Sequence, residues 1–147
     1  GANCADLPAA TGQTYVLTDP DVGSTIRVVV SAQNALGTAT ATSAPTAVVS
    51  ALGAPTNTSL PTISGTAQVG QTLTAGTGSW TGNPTSFSFQ WQRCTAGGTS
   101  CVDISGATAG TYVLGSGDLG STVRVAVTAR NSVGEATAVS APTAVVT

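Results

Sequence analysis

The fold is decided by the stretch Thr122-Val-Arg-Val-Ala-Val-Thr-Ala-Arg-Asn-Ser-Val-Gly134, which lies near the end of the chain. Val123, Val125 and Val127 alternate along it with polar or small residues. A period of two places alternate side chains on opposite faces of a β-strand, so this pattern predicts a strand with one buried face. Asn131 to Gly134 has the composition of a turn, and the residues up to Val146 predict a returning strand.

The same stretch occurs earlier in the chain. Residues 4–50 align without a gap on residues 101–147 at an offset of 97, and 28 of these 47 positions are identical. A fixed period is the signature of a repeat array. We therefore predict the C-terminal half of a repeat at residues 1–50, a linker at 51–59 and a complete domain at 60–147.

The complete domain is predicted to be an all-β, antiparallel sandwich. Ser86 to Arg93 alternates with the same period, and several further short β-rich runs are separated by turn residues, without helical periodicity. The predicted core residues are apolar residues on the inward faces of these strands: Phe87, Phe89, Trp91, Tyr112, Val123, Val125 and Val127.

Three cysteines indicate the redox environment. Cys94 and Cys101 are expected to form a disulfide across a short hairpin, because facing strand residues meet the Cα separation that a disulfide needs. Reduced thiols are the alternative, and this spacing without histidine is poor for zinc. A disulfide favours an extracellular location. Cys4 corresponds to Cys101, whereas the counterpart of Cys94 would precede Gly1. We therefore expect Cys4 to pair with an upstream segment or with another chain.

Composition excludes several classes of function. Only 7% of residues are charged, the net charge is −2, and the chain has neither Lys nor His. This excludes the basic surface that nucleic-acid binding requires, histidine-assisted nucleophilic catalysis and lysine Schiff-base chemistry. No apolar stretch is long enough to span a bilayer. We therefore expect a non-catalytic protein that does not insert into membranes, with no cofactor.

Three features have both a functional and a structural interpretation. Asp19-Pro-Asp21 carries carboxylates that calcium favours, but turn hydrogen bonding, with Arg27 and Arg124 as nearby partners of the repeated Asp21 and Asp118, is the preferred reading. Trp80 would stack on a sugar or pack at the rim of the domain, and rim packing is preferred. The triplet that begins at Asn57 matches a glycosylation sequon that arises readily by chance in such a Thr-rich chain.

The complete copy resembles the bacterial immunoglobulin-like tandem repeats of actinobacterial secreted and surface proteins. The resemblance covers residues 60–147, and residues 4–50 as a partial copy. Trp91 lies where the core tryptophan of that fold is expected, whereas the inter-sheet disulfide and the corner tyrosine are absent. The matching segments are Gly65-Thr-Ala-Gln-Val-Gly-Gln-Thr-Leu-Thr74, Trp80-Thr-Gly, Phe89-Gln-Trp-Gln-Arg-Cys94, Ile104-Ser-Gly-Ala-Thr108, Thr111-Tyr-Val-Leu114, Asp118-x-Gly120 and Ala129-x-Asn131-x-x-Gly134.

This resemblance implies a modular extracellular protein with a structural, spacing or adhesive task. The expected function is a building block of a secreted filament, stalk or surface layer, whose partners are copies of itself or adjacent repeats. The alternative is an adhesive module that binds a glycan or a protein. In either case, the half copy is expected to be ordered through contact with upstream or neighbouring strands, because a half sandwich exposes a Val-rich sheet.

Overall fold

The computed structural model describes residues 4–147, and these form an almost entirely β structure with two short 3₁₀ turns, Asp19–Asp21 and Ser116–Asp118. The prediction of an all-β chain with antiparallel sheets is confirmed. The chain divides into two compact units between Ala51 and Leu52. Neither helical segment in the described part of the chain is long and apolar enough to cross a membrane.

Within its described residues, 4–51, the first unit contains one hairpin. Strand β1 (Val29–Asn34) pairs antiparallel with strand β2 (Gly37–Thr42), so that Val29 faces Thr42 and Asn34 faces Gly37. Asn34 accepts a hydrogen bond from the backbone N–H of Leu36 at 2.9 Å, which closes the turn. The sequence pattern predicts a longer strand that begins at Thr25.

The second unit contains nine strands that form three antiparallel sheets. One sheet has the order β11-β10-β7-β8, another has the order β4-β5-β9, and β3 pairs with β6. The strands are β3 (Thr56–Ser59), β4 (Thr62–Ser64), β5 (Thr72–Gly76), β6 (Ser79–Thr81), β7 (Ser86–Cys94), β8 (Val102–Asp103), β9 (Thr111–Val113), β10 (Thr122–Arg130) and β11 (Glu135–Val139).

Both larger sheets contribute to the core of the second unit, as in a β-sandwich. Trp91 lies on β7 opposite Val125 of β10 in the four-stranded sheet, and its ring stacks on Tyr112 of β9 in the other sheet at a centroid distance of 5.7 Å. The indole N–H of Trp91 donates to the carbonyl of Ala109 at 2.8 Å, so its one polar group is satisfied inside the core. The fully buried core side chains are Leu73, Trp91, Leu114, Val123, Val125, Val127 and Val146.

The predicted core is mostly in place, with one correction. Phe89 and Tyr112 are partly buried against the core cluster. Phe87 is 38% exposed and does not belong to the core. It pairs with Ala129 near the far end of β7, and its ring lies 6.4 Å from that of Trp80, so it packs at the edge of the domain.

The predicted linker also differs from the structure. Residues 56–59, assigned to the linker, form β3, in which Asn57 pairs with Trp80 of β6. The second unit therefore begins at Leu52. The next strand, β4, lies at Thr62–Ser64, where it pairs with β5.

Candidate functional site

The two copies of the repeat fold in the same way locally. The backbone N–H of Gly23 donates to the carbonyl of Val49 at 2.8 Å, and the equivalent bond from Gly120 to Val146 measures 2.9 Å. The hydroxyl of Ser43 accepts the N–H of Val28 at 3.1 Å. In the complete copy, the hydroxyl of Ser140 accepts the N–H of Val125 at the same distance. The half copy therefore has the backbone arrangement of the complete copy without the front half of a sandwich.

The two copies differ in what covers their apolar residues. Leu17, Val28 and Val30 are 53%, 55% and 59% exposed. Their equivalents Leu114, Val125 and Val127 are at most 1% exposed. We name the surface formed by Leu17, Val28 and Val30 the open face. It is the candidate functional site, because exposed large apolar surface marks a place of interaction.

Backbone groups along the open face also lack the partners found in the complete copy. Residues 122–125 of β10 pair with β7, whereas the pairing of β10 with β11 begins only at Ala126. The half copy has a counterpart of β11 but not of β7, so β1 begins at Val29, the counterpart of Ala126. This explains why the strand predicted from Thr25 is shortened.

A buried carboxylate organises one end of the complete copy. Asp118 is fully buried, and its Oδ2 accepts the phenol O–H of Tyr112 at 2.9 Å and the backbone N–H of Gly115 at 2.8 Å. Its Oδ1 accepts the Nε–H of Arg93 at 2.7 Å. This bond raises the pKa of the Arg93 guanidinium, and burial raises the pKa of Tyr112 because a phenolate would be poorly solvated there.

The ionic partner of Asp118 corrects the sequence expectation. Arg124 does not bind Asp118, and its Nε–H donates instead to the amide oxygen of Gln92 at 2.7 Å. Arg93 supplies the cation from β7, which belongs to the front half of the repeat. The charge that neutralises this buried carboxylate thus comes from the part of the repeat that the half copy lacks.

The half copy has the same carboxylate without the arginine. Oδ2 of Asp21 accepts the backbone N–H of Thr18 at 2.7 Å, the hydroxyl of Thr18 at 3.0 Å and the phenol of Tyr15 at 3.0 Å. The backbone N–H of Thr18 holds the pKa of Asp21 below its usual value of 3.8. Oδ1 receives only the phenol of Tyr15, at 3.3 Å, within residues 4–147. Asp21 is 4% exposed, since its own turn encloses it.

The cysteines, like the charged pair, are shared between the front half and the back half of the repeat. Cys94 and Cys101 are joined by a disulfide, and Cys94 follows Arg93 directly at the end of β7. Cys4, the counterpart of Cys101, is an exposed free thiol among the described residues.

The remaining candidates have structural roles in this fold. Asp19 and Asp21 do not belong to any described group of three or more potential metal-ligating side chains. Trp80 lies on β6, and its indole N–H donates to the carbonyl of Thr77 at 2.8 Å. The amide nitrogen of Asn57, which a sequon sugar would occupy, donates to the carbonyls of Ser59 and Ser79 at 2.8 and 3.1 Å.

Sequence reasoning missed one further residue that joins the halves of the complete copy. Asn131 is buried, and its amide nitrogen donates to the carbonyls of Gly53 and Gly82 at 2.7 and 2.6 Å. Its oxygen closes the β10–β11 turn by accepting the N–H of Val133 at 2.8 Å. The sequence signal for this role is that the equivalent position of the half copy, Asn34, is also an asparagine.

Neither the protein-family models, nor the curated proteins, nor the solved structures contain a match to this chain. The internal repeat therefore supplies the comparison for the candidate site, because one copy shows how the open face of the other is covered.

Proposed function

We propose that this chain is a non-catalytic, extracellular structural module, a building block of a secreted filament, stalk or surface layer made of immunoglobulin-like repeats. The open face is the observation that carries the proposal. A half sandwich with the backbone of a finished domain leaves apolar side chains and strand-edge groups uncovered. Strands from elsewhere would cover them, and completing one unit with another joins neighbouring units into an array.

The immunoglobulin-like character is supported by the strand order. In constant-type immunoglobulin domains, strands C, F and G form one sheet, and strands B and E pair in the other. Here β7, β10 and β11 are neighbours in one sheet, and β5 pairs with β9 in the other. The core residue Trp91 lies on β7, the counterpart of strand C, which carries the buried tryptophan of that fold.

An extracellular location is supported by the Cys94–Cys101 disulfide, since such bonds persist in oxidising compartments. The low content of charged residues, 7%, also suits a module whose contacts are strand pairing and apolar packing.

The proposal is tested by lengthening the chain by whole periods. Residues 51–147 are appended once, twice and three times to the complete chain, which continues the period of 97 without a gap. For a stalk, small-angle X-ray scattering should give a maximum dimension that grows by a constant increment per period, and electron microscopy should show rods or fibres. Growth with the square root of the number of periods, as for flexibly linked beads, would contradict the proposal.

A second candidate function, an adhesive module for a glycan, has one observation in its favour. Phe87 is 38% exposed beside the half-buried ring of Trp80, and paired aromatic rings at a domain edge suit sugar stacking. A glycan array probed with the complete chain tests this function. Binding that is lost in Phe87→Ala and retained in Val102→Ala, a change at another exposed position of the same sheet, would support it.

A further inference from the structure

We propose that the open face binds the front half of another copy of the repeat, a segment with the sequence of residues 52–97, and that the cysteine of that segment forms a disulfide with Cys4. This inference names the partner of the surface on which the proposed function rests. Three independent contacts of the complete copy support this partner, and each has one member present and one member absent in the half copy.

The first contact is apolar. In the complete copy, β7 lies against β10 so that Trp91 faces Val125 and Phe89 faces Val127. The equivalents of the two valines are Val28 and Val30 of the open face, both more than half exposed. A segment that carries the alternating aromatic residues of β7 would cover them and supply the missing backbone partners of Thr25 and Arg27.

The second contact is ionic. Arg93 donates to Oδ1 of Asp118, while the Oδ2 atoms of Asp118 and Asp21 are satisfied by equivalent turn and tyrosine donors. Only Oδ1 of Asp21 lacks a close donor within residues 4–147. A carboxylate that is almost inaccessible to water needs a partner for each oxygen, and the arginine of an incoming front half would provide it.

The third contact is an amide. Asn131 donates to the carbonyls of Gly53 and Gly82, which both belong to the front half. Asn34 uses its oxygen in the turn as Asn131 does, at 2.9 Å to the N–H of Leu36. Its amide nitrogen is the group that corresponding carbonyls of an incoming segment would engage.

The proposed disulfide follows from the position of the cysteine in that segment. Cys94 is adjacent to Arg93 and is bonded to Cys101, whose counterpart in the half copy is Cys4. Docking of the incoming arginine at Asp21 would therefore bring the incoming cysteine next to Cys4. The two thiols lose two protons and two electrons to a small-molecule disulfide, such as oxidised glutathione, which is reduced to two thiols as the new S–S bond forms.

The occupant is a further copy of the front half, because the copy at residues 52–97 is already paired within the second unit. Within the second unit, β7 pairs along the whole length of β10, and Cys94 is bonded to Cys101. Releasing this front half for the half copy would expose the core around Trp91, which is fully buried.

The direct test adds a synthetic peptide of residues 52–97 to the complete chain in a buffer of reduced and oxidised glutathione. Mass spectrometry without reduction should find the peptide joined through its Cys94 to Cys4, with the internal Cys94–Cys101 bond intact. Amide hydrogen exchange should show new protection at Thr25 and Arg27, whose counterparts Thr122 and Arg124 pair with β7 and whose own N–H groups have no acceptor within residues 4–147. In the Cys4→Ser chain, the peptide should still protect these amides, although no covalent product forms.

The matched control is the peptide with Arg93→Gln, which keeps the aromatic residues and the cysteine. A hydrogen bond to a charged group contributes enough that this peptide should bind roughly tenfold or more weakly to the Cys4→Ser chain. Asp21→Asn in the chain should remove most of the difference between the two peptides. Equal affinity of both peptides for the Cys4→Ser chain would overturn the assignment of the arginine to Asp21.

A second arrangement keeps the inference falsifiable if the peptide aggregates. Residues 52–97 are joined directly ahead of Gly1 of the complete chain, which preserves the period because Gly98 and Gly1 are equivalent. A cysteine of the added segment should then bond to Cys4, and the open face should be protected from exchange. A free Cys4 thiol with an unprotected open face, or a dimer of the unextended chain that buries the open faces against each other, would overturn the inference.

Failure of this inference is distinguishable from failure of the proposed function. A peptide that binds the open face, together with lengthened chains that behave as flexible beads, would uphold the partner and reject the stalk. Stiff rods whose Cys4 stays a free thiol and whose open face stays unprotected after the peptide of residues 52–97 is added would uphold the stalk and reject the partner.

Discussion

Val127 and Val30 are the same residue at equivalent positions of the two copies, and they form a matched test of whether the open face is uncovered. Val127 is fully buried and Val30 is 59% exposed. Replacing each by alanine removes the same two methyl groups, so any difference in cost reflects only the surroundings of the side chain.

The expected magnitudes follow from burial. Two buried methyl groups contribute about 1.6 kcal/mol by transfer, and the residual cavity raises the expected cost of Val127→Ala to about 2–3 kcal/mol. For a domain of this size, that loss lowers the melting temperature by roughly 10–20 °C. Val30→Ala should cost no more than about 0.5 kcal/mol, the usual range for an exposed position.

The assay can separate the two units because both tryptophans, Trp80 and Trp91, lie in the second. Urea denaturation followed by tryptophan fluorescence should show a lower midpoint for Val127→Ala and an unchanged midpoint for Val30→Ala. Amide exchange along β1 and β2 measures the first unit directly. When the peptide of residues 52–97 is bound, the cost of Val30→Ala should rise toward that of Val127→Ala.

The reasoning is refuted if Val30→Ala destabilises β1 and β2 in the unaccompanied chain as strongly as Val127→Ala destabilises the second unit. Such a result would mean that the half copy already has a cover in solution.

Three further predictions concern the turn carboxylates and the glycines. Arg93→Ala should destabilise the second unit by about 2–3 kcal/mol in urea denaturation, because a buried carboxylate loses its partner; Arg124→Ala is the control, and an equal loss would contradict the assignment. The pKa of Asp21 is lowered on folding, so its stabilisation of the turn is present above pH 3.8 and is lost as the pH falls through the folded pKa; an NMR titration of turn amides that is flat in this range, or that persists in Asp21→Asn, would contradict this. Gly106→Ala should cost only about 1 kcal/mol, for a positive φ of 74° with open space at the Cβ position, whereas Gly82→Ala should cost clearly more because its Cβ would lie 2.7 Å from the carbonyl oxygen of Gly53. Melting curves compare the two, and a reversed order would show that contacts around these turns are misassigned.

The alternation of apolar and polar residues predicted those strands that have one apolar face and one polar face. β10 has the bounds expected from alternation, Thr122–Arg130, because valines on one face and polar residues on the other allow a single register. β3 was assigned to the linker because Thr56–Ser59 is polar throughout and has no apolar face to reveal it. A strand of this kind is recognised only through its partner β6.

The candidate site was predicted as a location but not as a set of contacts. The repeat offset alone indicated that residues 14–49 lack a front half. Arg93 lies 25 residues from Asp118, and both Arg93 and Arg124 are compatible with a nearby partner until the strand register is known. Phe87 follows the same alternation as Trp91, yet Phe87 is 38% exposed and Trp91 is fully buried, a difference that the alternation alone does not reveal.

The open face also gives any assembly a direction. The surface that receives, a back half bearing Asp21, differs from the segment that inserts, a front half bearing an arginine and a cysteine. Contacts between unlike surfaces are heterologous, and they continue from unit to unit unless the rotation between units closes a ring. An array joined through this contact would be polar, with distinguishable ends, each added unit would have to bring a front half that its own back half does not occupy, and a soluble front half without a back half would act as a terminator.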